Sequence, residues 1–117
     1  MFKIIRYDSS YESLWDDFVL NKSVNGIFLQ SRKFLNYHPK ERFEDCSLLI
    51  LIKNNLAAVI PACKDPKDVS CFFSHKGSTY GGIIIDKKHY CGAALLEIIE
   101  TFEQYLKENN FTSVYLK

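Results

Sequence analysis

The chain has no apolar run near the ~18 residues that span a bilayer. Its amino terminus, MFKIIRYDSSYE, lacks both the apolar core and the small-residue cleavage pattern of a signal peptide. Both absences lead to the expectation of a cytoplasmic protein with no membrane span. There is no excess of charge of one sign either: 15 Lys and Arg stand against 14 Asp and Glu, a formal +1. The basic residues are scattered and form no arginine-rich run, so nothing draws the chain toward DNA or an anionic membrane. No two of Cys46, Cys63, Cys71 and Cys91 are spaced C-x-x-C, which argues against a structural zinc and for no metal at all. In a reducing compartment such cysteines serve as small buried hydrophobes. A thiol nucleophile paired with His38, His75 or His89 would make the chain a cysteine hydrolase instead. Internal repeats, low-complexity segments and linkers are also missing, so residues 1–117 are expected to form a single domain, large enough to bury a core.

What is present is a mixed series of strands and helices. Phe2 to Tyr7 reads as a strand. Ser9 and Glu12 are spaced as a capping box, and Tyr11, Leu14, Trp15, Phe18 and Val19 then recur as one stripe of a helix with Trp15 in the core. Asn25-Gly26 marks a turn. Ser31 can cap a shorter helix, RKFLNYH, which Pro39 ends. Leu48 to Ile52 is an aliphatic strand. Asn54-Asn55 offers the positive φ of a tight hairpin, and Leu56 to Cys63 is its partner, with Pro61 marking an edge or a bulge. After the polar KDPKD turn, Val69 to Ser74 makes a further strand. Ala94, Leu95, Ile98, Ile99, Phe102 and Leu106 form a continuous stripe on the strongest helix, which Asn109 or Asn110 ends in the left-handed region. SVYL follows as a strand. A strand, helix and strand in succession predict that IIID and SVYL lie parallel as neighbours. A last strand left at an edge is a pairing hazard, which leads to the expectation of a truncated chain or of a second domain or copy completing the sheet.

Three of the five glycines fall in FFSHKGSTYGGIIID, Phe72 to Asp86. The pair Gly81-Gly82 costs roughly 0.5 to 1 kcal/mol per residue against alanine, a cost that a turn, a bulge or a ligand against the backbone would explain. Ser74, His75, Ser78, Thr79 and Tyr80 carry donors and acceptors for a sugar or an amide. His75 can take a proton from an amine, and Tyr80 can give one or position an acceptor. The same residues also suit a long hairpin loop in which the hydroxyls bond their own backbone. Arg32 can hold a phosphate or carboxylate, or pair with Glu41, Glu44 or Asp45. His38 can contact a ligand or bond a terminal helix carbonyl.

The order strand, two helices, antiparallel strands, then strand, helix, strand resembles the first two-thirds of the GNAT acyl-CoA N-acyltransferase fold, an α/β (α+β) class with a mixed sheet. HYCGAA sits where that family reads Gln/Arg-x-x-Gly-x-Gly/Ala, with Gly92 and Ala94 in the matching positions and His89 replacing the Gln or Arg. The resemblance implies that acyl-CoA (acetyl-CoA) is a co-substrate, with Lys88, His89, Gly92 and Ala94 at its diphosphate and Lys87 adding charge. Amides at a helix start favour such anions. The alternative is that Gly92 and Ala94 pack the helix on the sheet. FLQSRKFLNYH, ERFED, the hairpin ending in IPA, and SHKGSTYGG together resemble the amino-terminal region of Fem-type, GNAT-like acyltransferases of bacterial polysaccharide and peptidoglycan pathways. That resemblance implies transfer of an acyl or aminoacyl group to an amine of a glycan precursor. It places His75 and Tyr80 at the chemistry, and Ser74, Lys76, Gly77, Thr79, Gly81, Gly82, Arg32 and His38 around the substrate. A non-catalytic docking module is the other reading.

Overall fold

The computed structural model describes residues 2–25, 32, 46–65, 68–74, 83–89, 92–111 and 113–115. The sheet elements are β1 (Phe2–Arg6), β2 (Leu48–Ile52), β3 (Asn55–Ile60), β4 (Ala62–Asp65), β5 (Asp68–Ser74), β6 (Ile84–Ile85) and β7 (Ser113–Tyr115). The helices are α1 (Glu12–Asp17) and α2 (Gly92–Glu108), with a 3-10 turn at Ser9–Tyr11 before α1 and a π-helical turn at Phe18–Lys22 after it. One sheet runs β1-β2-β3-β6 and is antiparallel throughout; the other runs β4-β5-β7, with β5 and β7 parallel. The class is therefore mixed α/β, as the pattern predicts.

The run LLILI is apolar at every position because β2 is covered on both faces. Leu48 and Ile50 join Ala58, Ile60 and Ile85 under Ile98, Phe102 and Leu106 of α2. Leu49, Val59 and Ile84 face the other way, against Trp15, Phe18 and Val19. The stripe read for α2 holds, with Ile98, Phe102 and Leu106 buried and Asn110 at φ +64° just past the helix end.

Several local expectations shift. Asp8, not Ser9, caps the first turn, its carboxylate accepting from the Ser10 N–H at 2.8 Å. The hairpin turn is Lys53-Asn54, at φ +51° and +67°, so Asn55 is already paired with Ile52. Ala57 is the extra residue of a bulge, since Ile50 pairs with Ala58 and Leu51 with Leu56. Pro61 does break the ladder, and it divides the expected Leu56–Cys63 strand into β3 and β4. Ser47 spans that break. Its hydroxyl accepts from the Ala62 N–H at 2.9 Å and lies 3.2 Å from the Ala62 carbonyl, while its own carbonyl accepts from the Tyr7 N–H at 2.9 Å.

The expected side-by-side pairing of IIID and SVYL is not what forms. β6 pairs antiparallel with β3, and β7 pairs with β5 through Cys71–Ser113, Phe72–Val114 and Phe73–Tyr115. The register explains this. Ala62 faces Ser74 and Val59 faces Ile84. β5 and β6 thus pair with different strands, on the two sides of the Pro61 break. The outer edge of β6 is closed by residues 23–25. Ser23 bridges Asp86, the Val24 N–H donates to the Ile85 carbonyl at 2.8 Å, and the Asn25 amide bonds the Ile83 carbonyl and the Ile85 N–H at 3.0 and 3.1 Å.

Candidate functional site

The described residues with site chemistry gather where β6 hands over to α2. The Asp86 N–H donates to the Ala57 carbonyl at 2.9 Å, which anchors this corner to the sheet. Asp86 Oδ1 then accepts from the His89 N–H at 3.0 Å and lies 2.6 Å from His89 Nδ1. The imidazole stands edge-on to Phe2, with ring centres 5.6 Å apart. The side chain of His89 is thus fixed from two directions, and it shapes the turn leading into the helix. Lys87 and Lys88 are exposed on the same turn.

Gly92 opens α2 at φ +69°, and a Cβ added there would meet nothing within 4 Å. Glycine is required by the backbone angle rather than by crowding, because an L side chain in that region costs about 1–2 kcal/mol. The first turn carries no acidic residue. Seventeen residues of aligned peptide dipoles stand behind these amides. Ala94 is half-buried.

Arg32 lies elsewhere. It is fully buried, with its guanidinium 3.6 Å from the Tyr7 ring centre and 4.2 Å from that of Trp15. Its N–H donates to Asp16 Oδ1. This is a core position built by cation–π stacking, and spacing along the second helix gave no sign of it. The rest of that helix, with His38, lies outside the described residues. So do His75, Lys76, Gly77, Ser78, Thr79, Tyr80, Gly81 and Gly82; Ser74 ends β5, opposite Ala62. Cys46 and Cys63 are buried. Among the described residues no three His, Cys, Asp or Glu gather as a metal site, and no helix is long and apolar enough to cross a membrane.

No protein-family model matches the sequence, and no curated protein matches it. Solved structures do. The ribosomal-protein-S18-alanine N-acetyltransferase from Escherichia coli superposes with a TM-score of 0.63 at 8% identity, over 97% of this chain and 64% of that one. A GNAT family acetyltransferase from Staphylococcus aureus gives 0.57 at 12% identity, over 99% and 85%. The chain has the GNAT acetyltransferase fold. A Bacillus anthracis protein described as a streptothricin acetyltransferase, solved in complex with acetyl coenzyme A, shares the GNAT-like fold with a TM-score of 0.53 at 14% identity, over 97% and 72%. The chain spans less than two-thirds of the length of the E. coli enzyme.

Proposed function

We propose that this chain provides part of an N-acyltransferase, with acyl-CoA as the donor. The observation that carries this is Gly92: a left-handed glycine at the amino end of a 17-residue helix, facing open space. A diphosphate fits there on chemical grounds. The free amides of a first turn bind anions, this turn carries no acidic residue, and Lys88 is exposed four residues before it in the sequence. Acyl-CoA would supply an acyl group activated as a thioester.

The acceptor in this reading is an amine on a cell-surface polysaccharide or cell-wall precursor, supported by the resemblance of the FLQSRKFLNYH and SHKGSTYGG segments. His75 takes the proton from the attacking nitrogen, and Tyr80 returns one to the departing thiolate. Ser74, Lys76, Gly77, Thr79, Gly81 and Gly82 hold the acceptor, with His38 beside them.

Calorimetry with acetyl-CoA tests the donor half directly. Binding is expected, and Gly92→Val should weaken it about tenfold or more, because the added methyl groups occupy the space a phosphate would use. No heat with acetyl-CoA under conditions where the chain is folded would reject the proposal. Aminoacyl-tRNA is the other donor to titrate, and binding of it alone would replace acyl-CoA in this reading.

A further inference from the structure

A hollow of about 470 Å³ lies between the end of α1, the β2–β3 turn and the Asp86–Lys88 turn. That volume is in the range of small-molecule sites. Leu14, Phe18 and Leu56 form its apolar part. Leu14 is 44% exposed, an unusual position for a leucine at the rim of a charged hollow. The π-helical turn widens the end of α1 here, closed by the Ser23 N–H donating to the Phe18 carbonyl at 2.9 Å. Such turns are frequent at functional sites.

The charged groups sort themselves by partner. Asp17 is engaged by the Asn21 amide at 2.9 Å and by Lys22 at 3.4 Å. These two donors, Asn21 first, hold its carboxyl below the ordinary value of 3.8. Asp86 is engaged by His89. Both carboxylates lining the hollow therefore already have donors. Lys87 and Lys88 have no carboxylate partner among the described residues, and the Asn54 amide has no hydrogen-bond partner there. Lys87, Lys88 and Asn54 thus line one hollow together with Leu14, Phe18 and Leu56. Ammonium groups act as hydrated point charges, well suited to a phosphate that no guanidinium fork grips.

We propose that this hollow binds a phosphorylated small molecule, its phosphate held by Lys87, Lys88 and Asn54 and its carbon skeleton resting on Leu14 and Leu56. The inference stands whether or not the chain transfers acyl groups. The phosphate could belong to a nucleotide-bearing donor or to a phosphorylated acceptor. The test is a titration of the isotope-labelled chain, at low salt, with inorganic phosphate, 3′,5′-ADP and glucosamine 6-phosphate in separate samples. Amide resonances of Asn54–Leu56 and Asp86–Lys88 should move in at least one of the two organic titrations. A Lys87→Ala, Lys88→Ala double variant should bind about tenfold more weakly with its melting temperature unchanged, since both side chains are exposed. A response to 3′,5′-ADP alone assigns the phosphate to the donor, and one to glucosamine 6-phosphate alone assigns it to the acceptor. Failure of all three compounds to move those resonances at millimolar concentration overturns the proposal, as does equal binding by the double variant. Gly92→Val keeps this result separate from that of the donor site: it should weaken acetyl-CoA binding while leaving the glucosamine 6-phosphate shifts unchanged, because Gly92 does not line the hollow.

Discussion

Ser47 shows how one hydroxyl can replace a missing ladder bond. Pro61 has no N–H to give, and the Ser47 side chain meets both polar groups of the next residue instead. Ser47→Ala should cost about 1–3 kcal/mol, because it leaves the buried Ala62 N–H without an acceptor; urea denaturation would read this as a lower midpoint with an unchanged slope. Gly92→Ala should cost about 1 kcal/mol or somewhat more through backbone strain alone, since the new methyl touches nothing. Asp17 sets a pH dependence of known sign. Its carboxyl is held below its ordinary value by Asn21 and Lys22, so its contribution is present above about pH 4 and fades as the pH drops through the folded value. Asp17→Asn should flatten the acid limb of stability below about pH 4, and salt should weaken only the share that Lys22 contributes. Residue-level reading found Trp15, and Asn110 as one of two candidates, from residue type and spacing, whereas Gly92 came from the resemblance of HYCGAA to the GNAT loop. It missed the placement of Arg32, because stacking on Tyr7 and Trp15 depends on tertiary neighbours that no local pattern encodes.

At the scale of elements, period and composition were informative wherever burial dictated them. β2 is apolar throughout because both faces are covered, and α2 buries the stripe its sequence displays. Ends were less legible. The hairpin turn lies one residue earlier than its two asparagines indicate, since the β2–β3 register with its Ala57 bulge places Lys53 in the left-handed region, an uncommon place for lysine. Replacing the pair by Asn-Gly (Lys53→Asn with Asn54→Gly) should stabilise the chain by about 0.5–1 kcal/mol, readable as a higher melting temperature. The cap of the first turn moved from Ser9 to Asp8 because a 3-10 turn precedes α1.

For the whole molecule, Phe72 is the join between the two sheets. It sits on β5, and its ring meets Phe102 and Phe111 edge-on at 5.3 and 5.4 Å. The residue thus ties the three-stranded sheet to the helix that covers the four-stranded one. Phe72→Ala should cost about 3–5 kcal/mol, and hydrogen exchange should show protection falling in β2 and β3 as well as in β5. Exchange confined to β5 would mean that the sheets open independently. The strand neighbours were hidden in the sequence for a simple reason. β6 contributes only two residues, and β7 pairs with a strand of the other sheet.

The seal along β6 gives a spectroscopist a reporter. Ser23, Val24 and Asn25 hold the outer edge of that strand, and the Asn25 side chain bonds it twice. The side-chain amide resonance of Asn25 should therefore register any parting of this edge before the sheet itself melts.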